Sequence, residues 1–239
     1  MKKIRTMALG LMAAVSIVAF AGTSFAATTL TGGAAEMDGH IALVSNTGDA
    51  DAANDWSTVE FDVASGTTFA DLTMLATDYN VTDDDCGGGS PRFSIEVGTG
   101  TTTKFIFAYL GDEPNYIDCP ANTWVTSPDL LDSARAIDTS QLPGGTFYDT
   151  YAHATSTYGS YPVLGISLVV DAGWAMADGE QTVLVDNVVI NDMTEDFAPE
   201  EEEPAPKPKD ACKKGGWMTF TDPSFKNQGQ CIKHMNLNR

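Results

Sequence analysis

Short runs in which apolar and polar residues alternate constrain this chain more than any other feature of its sequence. Residues 57–63 place three apolar side chains on one face and two acids on the other, and residues 91–97 repeat the pattern. Successive side chains of a strand point to opposite sides, so a period of two residues is typical of a strand with one face on the core. The two segments are therefore predicted to be half-covered strands.

Three further runs predict strands. Residues 105–110 and 164–170 are apolar almost throughout, which favours burial on both faces, and residues 183–190 form the last apolar run. Clusters of Gly, Asp, Asn and Thr separate these segments, and a helical pattern appears only around residues 147–158. Many short strands with turn-rich connections predict an all-β fold, a jelly-roll-like β-sandwich with one short helix.

The N-terminus has the pattern of a secretory signal peptide. Basic residues precede an uncharged apolar run at residues 7–21, and Ser24 and Ala26 supply the small residues that a signal peptidase needs. The run is shorter than the roughly 20 residues of a membrane-spanning helix, which argues against an anchor. We expect residues 1–26 to be removed. The mature protein is then secreted, extracellular or at the cell surface, or periplasmic if the host has an outer membrane.

Glutamate and proline dominate residues 198–210. Alternating prolines block helix and sheet hydrogen bonding, and adjacent glutamates repel one another, so this segment is predicted to be an extended, semi-rigid spacer. It divides the mature chain into a body of residues 27–197 and a tail of residues 211–239.

Charge is distributed unevenly between these two parts. The body carries 27 acidic residues against three basic ones, whereas the tail carries five basic residues against one acidic residue. Binding to phosphates requires clustered Lys and Arg, so no nucleic-acid partner is expected for the body. Its charge suits a divalent cation, a cationic partner or a neutral polymer.

All four cysteines lie in the exported part, where disulfides form and persist. Three pairings are possible in principle. We expect Cys86 to pair with Cys119 and Cys212 with Cys231, because each pair then lies on one side of the spacer. Zinc is the rival interpretation, but there is no Cys-x-x-Cys pair and the three histidines are scattered.

The loop at residues 83–90 is the most unusual stretch of the body. It holds three consecutive acids, Asp83, Asp84 and Asp85, next to Cys86. Calcium prefers six to eight oxygen ligands, which makes these carboxylates candidate ligands and calcium the candidate cofactor. The spacing is not that of an EF-hand, and a solvated acidic turn is the alternative interpretation.

Asp186 and Asn187 interrupt the last apolar run. The segment 185–188 resembles the final strand of jelly-roll carbohydrate-binding modules, and the resemblance implies that Asp186 holds a structural calcium. From the residues alone, a polar group that faces a core needs a partner or a metal. The alternative is that one side chain points to solvent and the other caps a turn.

Aromatic residues provide candidate ligand-binding positions. Flat rings exposed on a sandwich stack against sugar rings. Tyr116 and Trp124 flank the Cys119 loop, and with Trp174 they are the candidates for this role. The alternative is that such rings belong to the core.

Catalytic motifs are missing from the sequence. It contains no Gly-x-Ser-x-Gly elbow, no His-Glu-x-x-His pair and no phosphate-binding loop, so no catalytic residue is assigned. Paired carboxylates of the glycoside hydrolase type stay open as an alternative, because acids are abundant and their separations are invisible in a sequence.

The tail carries the most specific motif. It reads Cys-Lys-Lys-Gly-Gly-Trp from Cys212 and Phe-Lys-Asn-Gln-Gly-Gln-Cys up to Cys231. This resembles a C-terminal module of uncharacterised secreted bacterial proteins with the pattern CKxGGW…FKNQGxC. The body resembles the domain that precedes this module in some of them, through residues 84–93 and 145–151. The resemblance implies no particular activity.

Together these features predict a secreted, non-catalytic protein that binds an extracellular glycan or envelope polymer, with calcium as structural support. Two alternatives are an envelope structural or adhesion protein anchored by its basic tail, and an extracellular hydrolase.

Overall fold

The computed structural model describes residues 28–100, 102–198 and 209–237. The predicted signal peptide and most of the predicted spacer lie outside the described residues. The chain separates into two compact units, one ending at Phe197 and the other beginning at Ala198.

The first unit is built from antiparallel strands. Its described strands are β1 (Thr28–Gly32), β2 (Ala35–Met37), β3 (His40–Asn46), β4 (Ser57–Phe61), β5 (Leu75–Asp83), β6 (Arg92–Gly98), β7 (Thr103–Tyr109), β8 (Val125–Thr126), β9 (Ala136–Ile137), β10 (Asp149–Thr150), β11 (Val163–Val170), β12 (Glu180–Ile190) and β13 (Met193–Glu195).

Two sheets form the layers of a sandwich. The first sheet has the order β1-β4-β11-β6-β7, and the second has the order β2-β3-β12-β5-β8, with β13 also paired to β12. When the eight principal strands are numbered along the chain, the sheets read 2-7-4-5 and 1-8-3-6. This is the strand order of a jelly roll, so the predicted fold class is confirmed.

The core lies between the two sheets and follows the alternation of the sequence. In β4, Val59 and Phe61 are buried while Glu60 between them is exposed, and in β6 the core side chains are Phe93, Ile95 and Val97. Full burial of an apolar side chain of this size contributes about 1.5–3 kcal/mol. The inward-facing residues of both sheets belong to one continuous hydrophobic cluster.

Strand β7 differs from its prediction. Ile106 and Ala108 face the core, but Phe105 and Phe107 are only half-buried on the outer face, where their rings stack at 6.0 Å. The Arg92 guanidinium lies 5.0 Å from the centre of the Phe107 ring. The expectation of burial on both faces is therefore wrong for this strand, because ring stacking and one cation cover its outer face.

The helix of the body, α1 (Tyr151–Tyr158), is shorter than predicted. Its N-cap is Thr150, whose hydroxyl accepts a hydrogen bond from the backbone N–H of His153. The two preceding residues of the expected helix, Asp149 and Thr150, form β10 and pair with β9 instead. The strand pairing and the cap together move the helix start to Tyr151.

Both predicted disulfides are confirmed. Cys86 pairs with Cys119 across a Cα–Cα distance of 5.4 Å, and Cys212 pairs with Cys231 across 5.7 Å. The first joins the loop after β5 to the segment before β8. Closing loops of these lengths stabilises the folded state by about 3–4 kcal/mol in the chain-entropy model.

The second unit is a small disulfide-closed module. It contains a 3-10 turn at Gly216–Thr219 and helix α2 (Gln228–Leu237). Both cysteines are fully buried, and the Phe225 ring packs against Phe220 and His234. Within the described part of the chain, no helix is both long and apolar enough to cross a membrane.

Candidate functional site

A pocket of about 340 Å³ opens on the outer face of the second sheet, and we call it the outer-face pocket. It is lined by Asp38, Gly39, His40, Asp78, Trp124, Val125, Thr126 and Asp186. The chain neighbours of the polar lining residues, such as Ile41, Tyr79 and Val185, point into the core. By alternation, the lining side chains themselves project outward.

The strand register brings the polar residues into one row across the sheet. Asp186 on β12 lies opposite Asp78 on β5, and Asp78 lies opposite Thr126 on β8. On the other side, β12 pairs with β3, where Val185 lies opposite Ile41, the residue after His40. The pocket therefore draws on four adjacent strands that are far apart in sequence.

A tight hairpin delivers His40 to this row. Met37 pairs with His40, so the connection between β2 and β3 consists of only two residues, Asp38 and Gly39. Both have positive φ, 47° and 84°. An Asp-Gly pair with positive φ at both positions suits a two-residue hairpin turn, which sets Asp38 at the rim of the pocket.

A β-bulge explains why Asp186 and Asn187 interrupt an apolar strand. The pairing of β12 with β5 shifts register between Asp186 and Val189, and Asn187 adopts a positive φ of 46°. Val185 and Val188 on either side are fully buried. The extra residue lets both polar side chains stay out of the core without reversing the apolar alternation.

The pocket carboxylates are held by neutral donors. The Asn187 amide nitrogen donates to Asp78 Oδ2 at 2.8 Å and contacts Asp186 Oδ2 at 3.4 Å. The Thr126 hydroxyl donates to the other oxygen of Asp78. Asp186 Oδ1 accepts from the backbone N–H groups of Asn187 at 2.8 Å and Phe197 at 3.1 Å. These contacts fix both carboxylates, while both residues remain partly exposed.

An aromatic pair completes the pocket. The centres of the His40 and Trp124 rings lie 5.6 Å apart with their planes at 72°. Three strand spacings, about 14 Å, separate β3 from β8 in the sheet, so the two side chains reach toward each other over the intervening strands. Trp124 stays 45% exposed, and the buried His40 Nε2 has no hydrogen-bond partner.

This arrangement suits recognition of a polyhydroxylated ligand. An exposed indole offers an apolar face for a sugar ring, and fixed carboxylates nearby accept hydrogen bonds from hydroxyl or amine groups. A few convergent polar groups beside an apolar surface are the usual composition of a ligand site.

Two of the residues singled out from sequence meet in this pocket. Trp124 was predicted as a stacking ring and Asp186 as a calcium ligand, and both line it. Sequence reasoning missed Asp78 and His40. The Asp38-Gly39 pair is the signal that points to His40, because it predicts a hairpin with a strand starting at that residue. No comparable sequence signal marks Asp78, because the residues around it do not alternate strictly between polar and apolar.

The prediction that Tyr116 is an exposed stacking ring is wrong. Its side chain is only 2% exposed, and its ring stacks on Tyr109 at a centre-to-centre distance of 4.1 Å. Phe147 and Tyr148 pack around it at 5.4 Å and 5.7 Å. Burial raises the pKa of Tyr116 well above its usual value. The residue belongs to an aromatic core under the loop, so no ring face is open to a ligand.

Trp174 is exposed but lies elsewhere. It occupies a 3-10 turn at Gly173–Ala175, is 69% exposed, and sits beside Gly88 of the acidic loop. It does not line the outer-face pocket. Trp174 therefore stays a separate candidate for ligand contact.

The four predicted calcium ligands do not converge. Asp83 lies five residues from Asp78 along β5, roughly 17 Å in an extended strand, so Asp186 is remote from the acidic loop. The Asp85 side chain points to the disulfide, where Oδ1 accepts hydrogen bonds from the backbone N–H groups of Cys86 and Cys119. The expectation that Asp85 joins its two neighbours at one ion is wrong, because its carboxylate holds the cystine loops.

Asp83 and Asp84 instead meet Asp178. Oxygens of these three carboxylates lie within 4.8 Å of one another. Desolvation, with a hydrogen bond to Asp178 and the neighbouring negative charges, raises the pKa of Asp84. A hydrogen bond from the backbone N–H of Glu180 lowers the pKa of Asp178. The cluster has the ligand chemistry of a calcium site, and calcium binding stays a prediction.

Comparisons with known proteins identified no relative of this chain. No protein-family model matches the chain, and no similar protein was found among curated proteins or solved structures.

Proposed function

We propose that the protein is a non-catalytic binding protein that works outside the cytoplasm, and that its outer-face pocket binds a saccharide. The observation that supports this most directly is the exposed Trp124 ring beside two fixed carboxylates in one pocket. The exposed part of the Trp124 ring leaves apolar surface that a sugar ring could cover.

The pocket lies on an open sheet face, which has room for a chain-like ligand. Its residues come from the outer face of one sheet, so a polysaccharide can cross the strands without entering the core. The floor is rigid, because each carboxylate accepts at least two hydrogen bonds from the protein. A rigid site spends little conformational entropy on binding, which suits the weak contacts that sugars make.

Binding of the mature chain to a glycan microarray, followed by calorimetry with the best ligands, tests the proposal. Replacement of Trp124 by alanine removes the stacking surface and should weaken binding by several-fold to tenfold, since stacking on an aromatic ring contributes about 0.5–1.5 kcal/mol beyond the area buried. Trp56→Ala is a matched control, because Trp56 is 42% exposed and lies outside the pocket. Equal losses in the two variants, or no binding to any glycan, contradict the proposal.

Trp174 needs its own variant, because it was also predicted to contact the ligand. Trp174→Ala should leave the affinity of the outer-face pocket unchanged. If it abolishes binding and Trp124→Ala does not, the saccharide site lies beside the acidic loop instead.

A role in envelope attachment is a second candidate, favoured by the surface of the C-terminal module. Lys213, Lys214, Lys226 and Lys233 are all exposed, and only Lys213 forms an ion pair within the described residues, with Asp210 at 2.6 Å. A small basic module suits an anionic envelope polymer. The parent protein should bind isolated cell walls, and salt should weaken this binding. Replacing the four lysines with glutamine should release the protein from the walls. Four glutamines at exposed acids of the body provide the control, and unchanged retention contradicts attachment through the module.

Export is part of the proposal. Disulfides persist outside the reducing cytoplasm, and both described disulfides agree with that location. Mass spectrometry of the protein from its native host should show a chain that begins after residue 26 and contains no titratable thiol. An intact N-terminus with four reduced cysteines contradicts export.

A further inference from the structure

The outer-face pocket carries an unbalanced negative charge. Asp78 and Asp186 occupy directly opposite positions on neighbouring strands, and both side chains are on the outer face. Side chains in that relationship have Cβ atoms about 5 Å apart, and like charges placed there destabilise a sheet. Asp38, exposed at the hairpin, adds a third carboxylate to the same pocket.

Among the described residues, no lysine or arginine lines the pocket to offset these charges. The carboxylates of Asp78 and Asp186 accept hydrogen bonds only from an amide, a hydroxyl and backbone N–H groups among the described residues. The two arginines of the body are engaged elsewhere, Arg92 with Asp171 and Arg135 with Asp112. The remaining basic residue of the body, Lys104, lies on β7 of the other sheet.

Neutral donors satisfy the carboxylate lone pairs but leave the net charge in place. A ligand that brings a positive charge into the pocket therefore gains energy that a neutral ligand does not. The exposed face of Trp124 adds to this preference, because an indole ring attracts cations as well as the apolar face of a sugar. Anionic saccharides meet three carboxylates and are repelled.

From this arrangement we infer that the ligand of the outer-face pocket is an amine-bearing saccharide, one whose hexosamine units carry free, protonated amino groups rather than N-acetyl groups. The inference rests on the proposed function and specifies its ligand class. The sugar ring stacks on Trp124, and the ammonium group lies between Asp78, Asp186 and the rim carboxylate of Asp38.

A divalent metal is the rival for the same charge, and the geometry disfavours it. The Asn187 amide nitrogen already lies against one oxygen of each carboxylate, at 2.8 Å and 3.4 Å. The reverse orientation of the amide would set its oxygen against two carboxylates. Asp186 also belongs to neither of the groups of three ligating side chains found among the described residues. An ammonium group needs only hydrogen-bond acceptors around it, and the pocket carboxylates provide them.

Calorimetry with four tetrasaccharides tests the inference on the mature chain. The probes are a glucosamine tetramer, its fully N-acetylated counterpart, a neutral glucose tetramer and a uronic acid tetramer, each at low and high salt. We expect the glucosamine tetramer to bind at least tenfold more tightly than the N-acetylated one, with a preference that shrinks as salt rises. The uronic acid tetramer should bind most weakly.

Two variants locate the charge that selects the amine. Asp78→Asn and Asp38→Asn keep the shape of the side chain and an oxygen acceptor, and asparagine tolerates the positive φ at residue 38. Each should weaken binding of the glucosamine tetramer several-fold more than binding of the N-acetylated tetramer, so that the preference for the amine falls. Glu60→Gln, an exposed acid on the first sheet, is the matched control. Circular dichroism of each variant confirms that it is folded.

The outcomes separate the two proposals. If the neutral, N-acetylated and amine-bearing tetramers all bind with equal affinity, and this binding depends on Trp124, the inference is overturned but the saccharide site is supported. A preference for the uronic acid tetramer overturns it as well. Amine binding that disappears with a chelator assigns the charge to a metal and also overturns it. No binding of any tetramer defeats the proposed function, and the inference with it.

Discussion

The carboxylate of Asp85 accepts a hydrogen bond from the backbone N–H of Cys119, 34 positions further along the chain, at 2.9 Å. The same oxygen accepts from the N–H of Cys86 at 2.7 Å. One side chain therefore fixes both ends of the Cys86–Cys119 disulfide. An acid that the sequence presents as part of a charge cluster acts as an internal cap for two loops.

Replacing Asp85 with alanine should destabilise the body by about 2–3 kcal/mol, because two backbone N–H groups lose a charged acceptor. Urea unfolding with the disulfides intact measures the change. Asp83→Ala is the control, since Asp83 makes neither contact, and it should stay within about 0.5 kcal/mol of the parent. If both variants lose the same stability, the role of Asp85 as a cap is refuted.

Arg135 should be much more sensitive to substitution than Lys104, the exposed lysine of the body. Its Nη2 atom donates to the carbonyl oxygens of Tyr109, Leu110 and Gly111 at 3.2, 3.2 and 3.0 Å. Arg135→Ala leaves three carbonyls without their donor, and we expect a loss of about 2–3 kcal/mol in thermal or urea unfolding. Arg135→Lys should recover only part of it, because an ammonium group cannot reproduce the planar guanidinium fork.

Lys104→Ala provides the comparison for Arg135. Lys104 is exposed near the start of β7, and its removal should change stability by less than about 0.5 kcal/mol. Equal effects of the two substitutions mean that net charge, rather than the three carbonyl contacts, governs the response.

Strict alternation is the part of the fold that sequence reasoning recovers. In β4 and β6 every second side chain is apolar, so the strand, its inward face and its approximate ends follow from the period alone. The disulfide pairing was predictable as well, because the spacer leaves only one pairing that keeps each bond within one unit.

Strands β3 and β5, which flank β12 in the second sheet, were not predicted. Strand β5 buries Thr77 and Asn80 beside its apolar residues, so its pattern resembles a polar loop. Burial of Thr77 depends on a hydrogen bond across the sheet, from its Oγ1 to the carbonyl oxygen of Asp186 at 3.0 Å. Such partners are distant in sequence, and no local period can reveal them.

The candidate site depends on the same distant pairing. Trp124 and Asp186 were selected separately, one as a ring and the other as a ligand, and only the register of β12, β5 and β8 shows that they share a pocket. Tyr116 illustrates the opposite case. Its position in a polar loop suggested exposure, but packing against Tyr109 buries it.

Stability should decrease in alkali because of buried tyrosines. Burial, followed by the charge of Asp138, raises the pKa of Tyr109, and burial followed by the charge of Glu113 raises the pKa of Tyr116. The folded state therefore favours the protonated rings. This contribution is fully present below the unfolded pKa of about 10 and is lost as the pH rises from there toward the folded-state values.

Urea unfolding at a series of pH values between 8 and 11 checks this dependence. Tyr116→Phe removes one titrating group and only a long hydrogen bond to the carbonyl oxygen of Phe147, at 3.3 Å, so its stability should fall less steeply above pH 10. A variant with the same slope as the parent protein, or a decline that is complete below pH 9, argues against tyrosine ionisation as the cause.

Calcium should stabilise the body through Asp83, Asp84 and Asp178, whose carboxylate oxygens lie within 4.8 Å of one another. Three like charges this close repel, and a divalent ion that binds only the folded state removes the repulsion. With a Kd of about 1 mM, in the range of extracellular calcium modules, 10 mM calcium adds roughly 1.4 kcal/mol. The midpoint of thermal unfolding should then rise by about 3–6 °C, and a chelator should reverse the shift.

Asp178→Asn should abolish the response to calcium, whereas Asp78→Asn in the outer-face pocket should retain it. A shift of equal size with Asp178→Asn, or with a monovalent salt of matched ionic strength, shows that the cluster binds no calcium and is a solvated acidic turn.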